Sequence, residues 1–340
     1  MRILVALLVG LALSGCARGP AEVAQLTGPT MGTQYSVQLS PAPDDQTLKQ
    51  LRSRIDTQLQ SANQLFSTYI EDSALVRFNR NPSTDWQPVP AELAELVARA
   101  QTISELTRGH YDVTVGPLVE LWGFGATGER DTPPTTQAIA EQLGRVGYLR
   151  LESRPAPPAL RKSAPGLEID LSSIAKGWAV DRIGDLLETR GFRDYLVEIG
   201  GETLIRGAKA DGSPWRIAIE RPTGASRAVQ GILAPGDSAI ATSGNYRNFF
   251  EHGGLSYGHT IDPQTGRPTR HRVASVTVIA SDCTTADAWA TALMALGEVM
   301  GPETAKRHGI AALFILYDGE GLKEWTSPAF GADYRWEQGH

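Results

Sequence analysis

Past residue 167 the chain is written as short apolar runs of strand length, separated by turn residues and interrupted by only two helical stretches. Runs at 167–171, 195–199, 203–206, 215–220, 228–233, 238–242, 273–280 and 311–316 read as strands, while 174–190 and 284–299 read as helices. Strands joined by hairpin-like turns, with helices inserted among them, favour an α+β fold of mixed or antiparallel sheets over a doubly wound parallel one.

The first half is more helical. Gln34 to Leu39 alternates as a strand does. From Asp44 onward, Leu48, Leu51, Ile55, Leu59, Ala62 and Phe66 recur at helical spacing, and Asp44 or Asp45 can cap the start. A second helix uses Leu93, Leu96, Val97, Ala100, Ile103 and Leu106, and Gly109 closes it. Proline and threonine at 132–136 mark a loop before a helix holding Ile139 and Leu143. The proline-rich stretch 154–166 reads as a surface turn and not as a domain linker. There is no repeat and no composition break, so residues 30–340 are expected to form one domain.

The front end speaks to compartment. Arg2 precedes an apolar run from Ile3 to Leu13, about half of the roughly 20 residues that a bilayer-spanning helix needs. The run fits the core of a secretory signal, and Leu13-Ser14-Gly15-Cys16 resembles a bacterial lipobox. The expectation is a signal peptide over 1–15, a lipid on Cys16 and a tether over 16–29. Such a protein would face the periplasm from the inner or outer membrane. Losing 1–15 removes the positive charge of Arg2 and moves the net charge from −6 to −7. That mild acidity, with no Lys/Arg cluster, gives no footprint for nucleic acid. Cys16 and Cys283 are the only cysteines, so with Cys16 lipidated no intrachain disulfide can form and the fold must rest on its core.

Two distant segments read as one site for an anionic ligand. Asp287 and Thr291 are four apart in a helical pattern, so both side chains project from one face. A carboxylate beside a hydroxyl offers hard oxygens suited to Mg²⁺ or Ca²⁺. The same two residues would also serve as a helix cap and a core filler. Lys176 and Gly177 stand where an apolar run gives way to a helix, a place that offers backbone N–H groups and a cation to a phosphate. The segment is not a Walker P-loop.

Nine motifs occur in fixed order: Met31-Gly32-Thr33-x-Tyr35; Ser67-Thr68-Tyr69 with Phe78-Asn79; Tyr111 to Val119; Leu121 to Gly125; Asp170 to Asp181; Gly200-Gly201-Glu202; Ser243 to Tyr246; His259 to Gly266; and Ala286 to Leu293. One Gly-Gly or Asp-Pro turn is cheap, but nine in sequence are specific. With them the chain resembles the ApbE family of FAD:protein FMN transferases over nearly everything beyond the tether.

The resemblance implies the family's own α+β fold, related to the T-fold, and an exported enzyme that takes FAD as substrate. It would split the pyrophosphate, move FMN onto a Thr or Ser hydroxyl of an exported or membrane redox protein, and release AMP. The implied ion is Mg²⁺, with Ca²⁺ or Mn²⁺ as alternatives. Asp287 and Thr291 would hold it by side chain and Ser173 by its backbone carbonyl. Met31, Tyr69, His110, Tyr111 and Asp112 match positions that clasp FAD. Asp170 would contact ribose, adenine or a metal-bound water, Lys176 a phosphate or flavin oxygen, and Ile261 the flavin pocket. His259 is the candidate general base, since an imidazole can take the proton of an attacking hydroxyl. Asp287 completes the catalytic pair through the metal.

Ser172-Ser173, Asn245 and Glu202 depart from commoner Gly-Gly, Asp and Asp; a carbonyl ligand at 173 survives any side chain. Two other functions fit the same residues. One is a hydrolase giving free FMN and AMP; the other is a non-enzymatic lipoprotein that binds flavin.

Overall fold

The computed structural model describes residues 23–223, 228–246, 248–319 and 321–338. A hairpin comes first, β1 (Ala24–Thr30) and β2 (Thr33–Leu39), then α1 (Asp45–Phe66), α2 (Ala74–Arg80), the two-residue β3 (Gln87–Pro88) and α3 (Ala91–Leu106). Short helices α4 (Gly116–Leu121) and α5 (Thr136–Leu143) lead to the hairpin β4 (Leu151–Pro155) and β5 (Pro158–Lys162), and then to α6 (Ala175–Thr189). Next stand β6 (Tyr195–Ile199), β7 (Glu202–Arg206), β8 (Ile217–Glu220), β9 (Val229–Ala234) and β10 (Ala239–Gly244). Two small hairpins follow, β11 (Phe249–His252) with β12 (Leu255–Gly258) and β13 (Ile261–Asp262) with β14 (Arg267–Pro268). The remaining elements are β15 (Val273–Ala280), α7 (Cys283–His308), β16 (Ala311–Asp318), β17 (Gly321–Thr326), α8 (Pro328–Asp333) and β18 (Arg335–Gln338).

Eight strands make one antiparallel sheet in the order β1-β2-β6-β7-β10-β15-β16-β17. Side chains alternate across it, so each strand feeds two layers. On the inner face Tyr35, Val37, Val197, Ile199, Val276 and Val278 meet α1, α3, α6 and α7 in the main core. On the outer face Leu196, Ile205, Ile240, Ile279, Leu313 and Ile315 lie under a small sheet, β8-β9-β18, and Phe330 of α8. The same face continues across β2 and β6 as Gln34, Ser36, Gln38 and Glu198, which no apolar layer buries. A third cluster, Leu118, Trp122, Ile139, Tyr257 and Ile261, joins α4 and α5 to the small hairpins. The α+β class with antiparallel sheets read from the sequence is the class observed.

Local chemistry sets the helix limits. Asp44 accepts from Thr47 N at 2.8 Å and starts α1, whose buried stripe is Leu51, Ile55, Leu59, Ala62 and Phe66. In α7, Gly297 leaves helical geometry at φ 71°, so two helical stretches meet there, and Gly309 closes the second in the left-handed region. The β6–β7 turn has Gly200 at φ 62° and Gly201 at φ 111°, a geometry that side chains resist.

Three expectations are corrected. Residues 24–29 are not tether but part of β1, paired along its whole length with β2. The proline-rich stretch 154–166 is no simple turn: it carries the end of β4 and all of β5. The run 167–171 forms no strand and joins no sheet. Its place in a ladder is taken by the Asn79 amide, which donates to Ile169 O at 2.8 Å and accepts from Ile169 N at 2.9 Å. The expected signal peptide at 1–15 and the lipid site Cys16 lie outside the described residues. Among the described residues no helix is long and apolar enough to cross a membrane.

Lys162 braces this stretch. Its side chain is fully buried, and Nζ donates to the carbonyls of Phe78, Asn79 and Leu167 at 3.2, 2.8 and 3.1 Å. Lys162→Met would leave three carbonyls without a donor, at a cost of about 3 kcal/mol. Urea unfolding should show a lower midpoint with unchanged slope; an unmoved midpoint would remove this bracing role.

Candidate functional site

A cleft of about 360 Å³ opens where the C-terminal half of β10 meets the starts of α6 and α7. Tyr69, His110, Tyr111, Asp112, Asp170, Ser173, Lys176, His259, Ile261, Asp287 and Thr291 all line it. Eleven positions picked from scattered motifs therefore share one cavity. Met31 does not: it occupies the β1–β2 turn at φ 46° and packs against the main core.

Asp287 is 3 % exposed and faces α6. Its Oδ2 accepts the Gly177 N–H at 2.9 Å. In a regular helix that N–H would go to the carbonyl four residues back, which is Ser173. The Ser173 carbonyl therefore has no hydrogen-bond partner among the described residues. The N–H at Gly177 is thus already committed and is not available to a phosphate, contrary to the sequence expectation. Thr291 lies one turn on from Asp287, and its Oγ1 is 3.1 Å from Ser243 Oγ. The Ser173 hydroxyl donates to Tyr111 Oη at 3.0 Å, so the side chain is engaged apart from the carbonyl.

Gly177 makes the junction possible. A Cβ there would run into the Cys283 carbonyl and come within 2.8 Å of Asp287 Cβ. Gly177→Ala should force α6 and α7 apart, costing about 1–3 kcal/mol and misplacing Asp287. Thermal unfolding together with ligand binding would register both effects; wild-type values for the two would contradict this packing.

The charge balance is unusual for a buried place. Lys176 Nζ sits 2.6 Å from Glu202 Oε1, while Glu202 Oε2 is buried with no hydrogen-bond partner among the described residues. Burial alone would lower the Lys176 pKa, but Glu202 and Asp287 hold its ammonium above the ordinary range. Burial pushes Glu202 up to about 7 against the pull of Lys176. Burial likewise raises Asp287, with Lys176 and the Gly177 N–H opposing. Two carboxylates thus share one cation in low dielectric, an arrangement that a further cation would relieve. Among the described residues no three His, Cys, Asp or Glu side chains gather as a ready-made metal cluster. One carboxylate, one hydroxyl and one carbonyl suit an ion that keeps positions for water and substrate oxygens, as Mg²⁺ does. The residues fit the ion.

His259 stands opposite. Its Nδ1 is 3.3 Å from the Asn248 carbonyl, which can only accept, so Nδ1 carries the hydrogen and Nε2 the lone pair. Burial lowers its pKa, only partly offset by Asn248, and keeps the ring neutral. The edge of Phe124 meets the ring at 6.4 Å between centroids. Tyr69, 69 % exposed, offers a ring face at the rim. His110 Nδ1 lies 3.9 Å from Asp262 Oδ1.

Other assigned side chains are engaged in holding the frame. Asp112 accepts from Thr114 N, Thr114 Oγ1 and Tyr148 N at 2.8, 2.7 and 2.7 Å, so both its oxygens are spent locally. Asp170 Oδ1 accepts from Ser172 N at 2.7 Å in a turn before α6, whose N-cap is Ile174. Asn245 accepts from Thr260 Oγ1 and donates to Thr269, tying the loop behind His259. Two participants received no role from the sequence. Asp181 accepts from Cys283 N and Thr284 N at 2.7 and 2.8 Å and so locks α6 onto the start of α7. Phe124 walls the histidine. Both lie inside motifs already singled out, and only their partners were invisible.

The profile of the ApbE family matches residues 31–314. A FAD:protein FMN transferase of Vibrio cholerae serotype O1 is 46% identical over 329 residues, covering 96% of this chain and 97% of that one. The solved flavin transferase ApbE from Vibrio cholerae superposes with a TM-score of 0.84 at 44% identity, covering 92% of this chain and 99% of that chain. The flavinyl transferase ApbE of Pseudomonas stutzeri, in its apo form, gives 0.83 at 39% identity, covering 93% and 98%.

Proposed function

The chain belongs to the ApbE family, and from that premise we propose how its cleft moves FMN from FAD onto another protein. It is a transferase with FAD as substrate. The observation that carries the mechanism is the convergence on one cleft of Asp287, Thr291, the unpartnered Ser173 carbonyl and a neutral His259.

Asp287, Thr291 and the Ser173 carbonyl would hold a divalent cation, Mg²⁺ by the hardness of the donor set. When bound, such an ion neutralises charge that builds on the pyrophosphate oxygens. The rest belongs to side chains. Tyr69 at the rim presents an aromatic face to a flat ring, and Ile261 lines the apolar side of the cleft. Lys176, fixed by Glu202, keeps a positive charge at the cleft wall. His259 Nε2 takes the proton from a Thr or Ser hydroxyl of the acceptor. That oxygen bonds to the FMN phosphorus, the P–O bond to the adenylate breaks, and AMP leaves with the bond's electrons.

Incubation with FAD, Mg²⁺ and a Thr-containing acceptor tests the reading. Flavin fluorescence should stay with the acceptor band after denaturing electrophoresis. Free FMN with a dark acceptor band would instead mark a hydrolase, and neither product would mark a binding protein.

Acceptors are expected among exported or membrane redox subunits, with this chain held at the envelope by a lipid on Cys16. The apolar run Ile3–Leu13 and the lipobox-like Leu13-Ser14-Gly15-Cys16 support this. Cys16→Ser should shift the protein out of the membrane fraction; membrane retention of that variant would refute the anchor.

A further inference from the structure

Thr291 is the one proposed cation ligand whose oxygen also carries a hydrogen, and that hydrogen must go somewhere. A hydroxyl has one O–H and two lone pairs. A cation takes a lone pair and repels the hydrogen, so the oxygen needs an acceptor on its far side. Metal sites supply such acceptors from residues that stand behind the ligands.

Helical hydroxyls often solve this locally, by donating to a carbonyl one turn back. Three elsewhere in this chain do so: Thr57 to Ser53 O at 2.8 Å, Thr102 to Ala98 O at 3.1 Å and Thr189 to Asp185 O at 2.7 Å. Thr291 is different. Its hydroxyl has a single hydrogen-bond partner among the described residues, and that is Ser243 Oγ, 3.1 Å away across on β10. Either hydroxyl can donate as the pair stands. A cation on Thr291 removes the choice, because Thr291 must then donate and Ser243 accept.

The fold holds Ser243 in place for this. It lies in β10 opposite Val276 of β15, and alternation sends it, with Ala239 and Ala241, to the inner face of the sheet. Its neighbour Thr242 points the other way and pairs with Thr277 at 2.9 Å. Ser243 lines the cleft and makes no second side-chain hydrogen bond among the described residues, so it has lone pairs to spare. An alanine there would leave the Thr291 hydrogen to turn back to the Asp287 carbonyl, as the other three threonines do.

We infer that Ser243, which the sequence left without a role, is a positioning residue: it accepts the Thr291 hydrogen and so aims a lone pair of that oxygen at the cation. The inference rests on the metal reading of the cleft. Its effect belongs to metal affinity, not to the chemical step once the ion is bound.

The probe is Mn²⁺, added to the full chain with FAD and no acceptor, with free ion read from its electron paramagnetic resonance signal. Ser243→Ala should raise the Mn²⁺ Kd at least about tenfold, the loss expected when a ligand is deprived of the group that orients it. Transfer by this variant at saturating Mg²⁺ should return to within about threefold of the parent rate. Ser243→Thr keeps an acceptor and should hold the Kd within about threefold of the parent. In a Thr291→Val background, Ser243→Ala should cost nothing further, since the two act through one bond. An unchanged Kd in Ser243→Ala, an equal loss in Ser243→Thr, or a full-sized loss that persists in Thr291→Val overturns the inference. So does a Ser243→Ala chain that no longer melts as a folded protein, which would make Ser243 a packing residue. A parent chain that retains no Mn²⁺ refutes the metal reading itself, a separate result.

Discussion

Asp287→Asn is expected to reduce flavin transfer by about a thousandfold or more, close to 4 kcal/mol of barrier, with the fold intact. The amide keeps an oxygen that can accept the Gly177 N–H, so the contact between α6 and α7 survives. What is lost is the negative charge that would hold the cation. Asp287 sits in a cluster where Lys176 already answers Glu202, so removing its charge leaves the site with no reason to recruit a metal. Single-turnover transfer across a Mg²⁺ titration, beside a thermal melt, separates the two effects. A variant with wild-type turnover would remove the metal assignment, and one that fails to fold would show Asp287 to be structural first.

His259→Gln should slow transfer by about 10²- to 10⁴-fold while FAD affinity stays close to wild type. The pH dependence follows from burial. A buried imidazole resists protonation, so its pKa lies below 6.5 and the base form persists into mildly acidic solution. The wild-type rate should therefore be flat at neutral pH and fall as pH drops through that lowered value. In the glutamine variant this limb should vanish. A large loss of FAD binding, or an acidic limb that survives the substitution, would recast His259 as a packing residue.

Some of this was legible because helical period is rigid. Asp287 and Thr291, four apart, had to share a face wherever that helix lay, and the strand runs from 195 to 280 had little else to become. What escaped were pairings between segments distant in the chain. The ion pair of Lys176 with Glu202 and the spent N–H of Gly177 arise only when β7, α6 and α7 converge, and no spacing rule reports that. The run 167–171 has the composition of a strand, yet the side chain of Asn79 satisfies it in place of a neighbour. β1 was hidden by Gly28 and Pro29, which look like tether residues. An edge strand tolerates the proline, and the ring of Tyr35 leaves room at position 28 only for glycine.

The cation is the centre of the mechanism, and Mn²⁺ makes it visible. Crystals of the full chain grown with FAD and Mn²⁺ should show an anomalous peak bonded to an Asp287 carboxylate oxygen, Thr291 Oγ1 and the Ser173 carbonyl, with diphosphate oxygens completing the shell. No peak there at saturating Mn²⁺, or FAD seated away from that trio, would contradict the proposed mechanism.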